Sequence, residues 1–378
     1  MPQRGTSCVD HPGGRPSNPL LWSFASHWEQ AAGWRPARYT RRVTRHFPDP
    51  PDAVLAAARE RSAARAARDW PRADALRAEI EAAGWKVEDA GTAFRLEPAG
   101  PPTVADGSIV RYGASSAVPS VLDEPPTARF TVELVAEDGP DDLSRTLAGL
   151  RAHAPAGTQV VIVANAPSRQ QEARLAAESA DLDPIAGMTP EVVWTSERLG
   201  HAAARNAGLR RATGATVVLA DTSVEPTGDA LVPLEAALSD PRIAVAGGFG
   251  LVATDLRRFE SAPGPDVDAI ELVWLAFRRD DLAALGPLDE KLAVDRHLGA
   301  WWSLVLRAGA DDGAPPRAAR RLDLPLARHA DRGRTSLHAD QRDRLAKRDF
   351  YRLLDRFRDR PDLLSGALTA GSSTAAGS

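Results

Sequence analysis

The chain is poor in cysteine. Cys8 stands alone among 378 residues, so no internal disulfide forms and no thiol cluster stitches the fold together. It also lacks an excess of charge of one sign. Its 47 Lys and Arg face 51 Asp and Glu, a net charge of -4, which excludes a whole-protein field strong enough to draw in nucleic acid or an anionic membrane. No apolar run approaches the roughly 20 residues that cross a bilayer. No apolar leader ending in a small-residue cleavage site stands at the front, so the expectation is a cytoplasmic protein. Several chemistries are missing as well. There is no G-x-x-x-x-G-K-[ST] loop, no G-x-S-x-G elbow and no cysteine–histidine zinc spacing. "GGFG" at 247–250 does not fit G-x-G-x-x-G and reads as a turn or an acceptor-side loop.

What is present divides the chain into five stretches. Residues 1–50 carry Arg, His, Pro and Gly with little periodicity and read as a disordered extension. Residues 51–97 read as a compact helix–helix–hairpin unit. An Ala- and Arg-rich helix comes first. A second opens at Asp69 and Pro71 and carries Ala73, Leu76, Ile80 and Ala83 on one stripe. Gly84 stops it, and "WKVEDAGTAFRLEP" folds back on itself near Ala90. Pro, Gly and Ser punctuate 98–127, which reads as a linker. From about 128 to 310 strand and helix signals alternate, in a domain expected to run to 360. Strands are expected at 129–136, 158–165, 191–196 and 216–221, and helices at 141–153 and 200–214. The nearly all-apolar "TVVLAD" suits a strand covered on both faces. This alternation predicts an α/β fold with a largely parallel sheet between helices, whose ligands sit at the carboxyl ends of strands. Asn165 and Asp221 fall at such ends. A late extended segment at 321–329 and an amphipathic helix at 338–360 follow. The tail 361–378 reads as disordered.

Four collinear stretches carry a resemblance: "VELVAEDGPDDLSRTLAGL", "VVIVANAPS", "ERLGHAAARNAGLRRATGATVVLADTSVEP" and "LAFRRDDLAALGPLDEKL". Together they make residues 128–310 resemble glycosyltransferase family 2, inverting enzymes of GT-A fold that use nucleotide-sugar donors. In that family the third stretch reads Gly-x-Ala-x-Ala-Arg-Asn-x-Gly and ends on a strand with Asp-x-Asp. Gly200, Arg205, Asn206, Gly208, Gly214 and Asp221 match it, and Ser223 replaces the second acid. Residues 51–97 resemble the small C-terminal module of cysteinyl-tRNA synthetases. The synthetase's catalytic parts are missing, and eight Arg and Lys against nine Asp and Glu make an RNA-binding surface a poor expectation beside a packing module.

The resemblance implies a site. A departing nucleoside diphosphate gathers negative charge, which a divalent cation, Mn²⁺ or Mg²⁺, commonly offsets through oxygen ligands. Asp221 and Ser223 stand where the ligands belong, and His329 is a candidate late ligand. Asn165 and Glu137 are expected to cradle the nucleoside, and Arg205 to face the diphosphate, where its fork suits phosphate oxygens. The family's acidic pair ahead of the last core helix falls on His297, Leu298 and Gly299. Asp295 or His297 is therefore the expected general base. Against each stands a plainer role: strand-end cap, turn former, solvated helix residue. The leading expectation is transfer of a sugar from a nucleotide-sugar donor to a glycan or other acceptor, with inversion. The weakened acids leave a non-catalytic nucleotide-sugar- or glycan-binding scaffold as the alternative, and an RNA-associated protein as a more distant one.

Overall fold

The computed structural model describes residues 50–364 except 91–92, 99–101, 108, 181–186, 188–189, 293, 311–313 and 330–338. The expected disordered ends lie outside the described residues except at 361–364, where Pro361–Leu363 form a 3-10 turn and Leu363 and Leu364 are buried in the core, so the ordered chain runs past 360. The chain separates into residues 1–46 and 47–378, and only the second unit is described.

The helix–helix–hairpin unit forms as the sequence predicts. Helices α1 (Asp52–Ala66) and α2 (Trp70–Ala82) precede a hairpin of β1 (Trp85–Ala90) and β2 (Ala93–Pro98). Asp69 caps α2 through the amide of Arg72, with Pro71 in the first turn. Val54, Ala58, Ile80 and Trp85 build a small core of their own. Two of the α1 arginines, Arg61 and Arg65, are engaged with a carboxylate. Arg61 is buried and forks onto Asp89, Arg65 reaches the same carboxylate at 3.3 Å, and Arg72 of α2 bonds Glu60. The Arg61 hydrogen bond holds the Asp89 carboxyl below the usual range against the opposing effect of its partial burial, with the charges of Arg61 and Arg65 adding to it.

The stretch read as a linker is part of the main sheet. It supplies β3 (Val104–Asp106) and β4 (Ile109–Tyr112), and β4 runs parallel to β7. The alternating region then gives β5 (Ala128–Ala136), α3 (Pro140–His153), β6 (Thr158–Ala164), α4 (Arg169–Ala180), β7 (Glu191–Thr195), α5 (His201–Leu209) and β8 (Gly214–Ala220). Next come β9 (Val224–Pro226), α6 (Val232–Leu238), β10 (Ile243–Gly247), β11 (Gly250–Val252), β12 (Glu260–Ala262), β13 (Asp266–Val267), β14 (Ala269–Ile270), β15 (Trp274–Arg278) and α7 (Arg279–Leu285). The described part closes with α8 (Leu298–Ala308), β16 (Ala318–Arg321), β17 (Leu326–Arg328) and α9 (Ala339–Phe357).

Ten strands form one sheet in the order β13-β16-β10-β15-β8-β5-β6-β7-β4-β3. Strands β4 to β8 of this sheet run parallel, whereas β15 is antiparallel to both β8 and β10. The fold is α/β with a mixed, mostly parallel sheet. Apolar side chains fill both faces. Leu143, Leu147 and Leu150 of α3 pack with β5 and β6 on one side, and α5, α8 and α9 cover the other. Chain order reverses beside β5: the sheet grows to β6 and β7 on one side and returns to β8 on the other. A crevice at the carboxyl ends of strands opens where such a reversal occurs.

Candidate active site at the strand ends

Each strand around the reversal ends in a polar residue. Glu137 follows β5, Asn165 follows β6 and Asp221 follows β8. Asn165 is fully buried, and all its hydrogen-bonding capacity is directed inward. Its amide nitrogen donates to Glu137 Oε1 at 2.6 Å and to the Leu199 carbonyl at 3.1 Å. Its oxygen accepts from the Leu199 amide at 2.8 Å and from the Thr195 hydroxyl at 3.4 Å. Asn165 therefore clasps the loop that leads into α5, and a base edge would have to displace one of these bonds. The next residue, Ala166, sits at φ +44°, a left-handed conformation that costs a non-glycine residue about 1–2 kcal/mol. The Thr195 hydroxyl holds it there by accepting from the Ala166 amide at 2.8 Å.

Glu137 lies at the centre of this corner. Its second oxygen accepts from Arg198 Nη1 at 2.6 Å. Burial pushes its carboxyl above the usual range, Arg198 and Asn165 oppose that, and the charges of Asp138 and Asp295 add to it.

Arg205 does not face a diphosphate. It is 1% exposed beneath the sheet and donates to Glu133 Oε2 at 2.5 Å and to the carbonyls of Glu133 and Ala220. Glu133 is wholly buried, and burial pushes its carboxyl up to about 7 although Arg205 pulls the other way. The rest of this motif is scaffold too. A Cβ on Gly208 would stand 2.6 Å from Glu133 Cγ, so glycine makes room for the buried acid. Asn206 exchanges hydrogen bonds with both backbone groups of Leu288.

At the end of β8, Asp221 Oδ1 accepts from the Ser223 amide at 2.9 Å and from its hydroxyl at 2.5 Å. The replacement of the second acid thus closes a tight turn. Strand β9 continues from it and pairs antiparallel with β17, which brings His329 alongside: its amide donates to the Ser223 carbonyl at 2.8 Å. The His329 ring, however, turns to Glu225, with Nε2 2.8 Å from Oε2, and Arg145 Nε lies 3.9 Å from that same oxygen. Among the described residues no three His, Cys, Asp or Glu side chains gather closely enough to hold a metal ion. Asp221, Ser223 and His329 therefore do not fit a resident divalent cation. One carboxylate is present, one of its oxygens is taken up by Ser223, and the imidazole is directed to another acid.

The two expected bases part company. The His297 ring lies 5.9 Å from that of Phe350 on α9. Asp295 lines a cavity of about 110 Å³ with Glu271, Val273, Gly299 and Arg328. That cavity adjoins the end of β8, because the Asp221 amide donates to the Val273 carbonyl at 3.0 Å. Gly299 permits the arrangement. A Cβ there would meet the Leu272 nitrogen at 2.7 Å and the Ile270 oxygen at 2.9 Å, so only glycine lets α8 nest against 270–272. Glu271 accepts from Arg328 at 2.9 Å, and the Arg328 guanidinium lies over the Phe249 ring. Sequence reasoning missed Arg198, Glu271 and Arg328. One signal for Glu271 exists: it directly precedes the apolar "LVWLAF", and in an antiparallel neighbour of β8 that start falls at the carboxyl end of β8. Trp301 and Trp302 are buried and pack on Phe357 and Phe277.

Fold and site together define an α/β protein with polar residues at the carboxyl ends of its central strands. Residues 135–280 match the family model described as Glycosyl transferase family 2. That match does not reach residues 51–97, and no comparison supports the likeness of that unit to cysteinyl-tRNA synthetase. No curated protein matches the chain. Among solved structures, it is similar to GalNAc-T7 with UDP, GalNAc and Mn²⁺, at 16% identity and a TM-score of 0.49, covering 63% of this chain and 49% of that one. It is also similar to the mannosyltransferase PcManGT from Pyrobaculum calidifontis, in complex with GDP-Man and Mn²⁺ (20% identity, TM-score 0.40, 69% of this chain and 78% of that one). A third is S. aureus TarS 1-349 (13% identity, TM-score 0.39, 61% and 73%). The chain thus spans about half the length of the first of these structures.

Proposed function

We propose that the chain binds a nucleotide-activated sugar across the carboxyl ends of β5, β6 and β8 and transfers the sugar, with inversion, to an acceptor hydroxyl. The observation that carries this reading is the coincidence of the family match with Glu137 and Asp221 at the ends of β5 and β8 and Asp295 in the cavity beside Val273. The acceptor oxygen attacks the anomeric carbon as the bond to the diphosphate breaks, and the hydroxyl proton passes to Asp295. A single displacement of this kind needs one base and no covalent sugar–protein intermediate. The Asp221 carboxylate, an acceptor at the end of β8, takes hydrogen bonds from donor hydroxyls and orients the donor. Fixed positive charge at this rim comes from Arg145, Arg198 and Arg328, each resting on a carboxylate. His297, directed to Phe350, is the lesser candidate for the base.

The test is release of nucleoside diphosphate from a panel of nucleotide sugars offered with saccharide acceptors. Turnover should fall about 10²–10⁴-fold in Asp295→Asn, with donor binding kept. A chain that binds a donor yet turns over none would be the scaffold, and transfer would be withdrawn. Ser223 at the second acid position is the observation that favours that second reading.

A further inference from the structure

We propose that the end of β8 has become a hydrogen-bonded turn that takes up no divalent cation in the free protein, and that Ser223 is the residue responsible. The inference concerns the same crevice, but it stands on the turn itself and does not require a nucleotide sugar to be the ligand.

Three observations carry it. First, the Ser223 amide and hydroxyl both donate to the same oxygen of Asp221. A carboxylate oxygen with two close donors is stabilised by hydrogens where a cation would otherwise sit, and the turn is complete without an ion. Second, the imidazole that β17 brings to this place is held by Glu225, which also lies near Arg145. Moving His329 towards Asp221 would leave Glu225 without its closest donor. Third, no three potential ligands come together among the described residues. Hard cations such as Mg²⁺ and Mn²⁺ depend on carboxylate charge for affinity, and a serine hydroxyl supplies none.

The inference makes Ser223→Asp a gain-of-site change. Two carboxylates forced together at the 2.5 Å spacing now taken by Ser223 Oγ and Asp221 Oδ1 repel each other unless a proton or a cation lies between them. A ligand that binds only the folded state raises the unfolding temperature by mass action. Thermal unfolding of the whole chain in MnCl₂ and in EDTA, without nucleotide, therefore separates the cases. The wild-type transition should be the same in both. Ser223→Asp should unfold lower than wild type in EDTA and recover in Mn²⁺, and Asp221→Asn in that background should abolish the recovery. A wild-type transition raised by Mn²⁺ and restored to the EDTA value by Asp221→Asn would overturn the proposal. So would a folded Ser223→Asp chain indifferent to Mn²⁺, since Ser223 would then not be what closes the site. Should the variant fail to fold, electron paramagnetic resonance of free Mn²⁺ titrated with wild-type protein decides alone: no loss of signal supports the proposal, and stoichiometric loss that Asp221→Asn prevents refutes it. Neither arm uses a donor, so failure here leaves the sugar-transfer reading standing, and the reverse holds too.

Discussion

Removing the guanidinium beneath the sheet is the sharpest perturbation the structure offers. In Arg205→Met a flexible apolar chain of similar reach replaces the partner of a wholly buried acid. Breaking a buried pair from one side costs about 3–5 kcal/mol, because an uncompensated charge stays behind. At about 2–4 °C per kcal/mol for a domain of this size, the transition should fall by roughly 6–20 °C. The cost should depend on pH with a definite sign. Burial already pushes Glu133 up to about 7 in the folded chain, above the ordinary carboxylate range. Such a group supports the folded state fully below its unfolded pKa, and that support is lost as pH rises through the folded pKa. Arg205 lowers the folded value, so its removal raises it further and carries the loss to higher pH. The variant should therefore be hurt more at pH 8 than at pH 5. Glu133→Leu added to Arg205→Met should recover most of the loss, since an apolar pair can replace a buried ion pair. Thermal unfolding followed by circular dichroism at both pH values is the assay. A single-variant loss under about 1 kcal/mol at pH 8, or an equal loss at pH 5, would refute the reasoning.

Two further outcomes follow from the hydrogen bonds. Asn165→Ala removes the clasp on Leu199 and orphans its backbone groups, so it should cost about 1–3 kcal/mol, and hydrogen exchange should quicken in 196–200 before the β5 and β6 amides change. In the N-terminal unit the depressed Asp89 carboxyl contributes stability that is present above its unfolded pKa and lost as pH falls through the folded one. Acid should therefore loosen α1 and the hairpin together, and Asp89→Asn should remove that acid dependence; unchanged nuclear magnetic resonance shifts for these residues across the acid range would contradict it.

The elements were legible where periodicity was strong. The four parallel strands β5, β6, β7 and β8, the helices α3 and α5, and the two-helix unit follow from apolar spacing, Pro71 and Gly84. The role of 98–127 was not, because β3 and β4 are short and their pairing with β7 is non-local. The same limit hid Glu271. Its place near the end of β8 depends on β15 running antiparallel to β8, which composition does not encode. Arg205 shows the opposite failure. A matching motif position suggested a phosphate contact, yet the partner is Glu133, a single acid within an apolar strand whose need for a buried cation could have been read from "FTVELVA".

The most direct test of the central claim is binding itself. Thermal unfolding of the whole chain against a panel of nucleoside diphosphates and nucleotide sugars should show a raised transition with one nucleotide class, and Asp221→Asn should abolish it while leaving the unliganded transition in place. No rise with any nucleotide, in a chain that unfolds cooperatively, would contradict the assignment of the strand-end crevice as a nucleotide-sugar site.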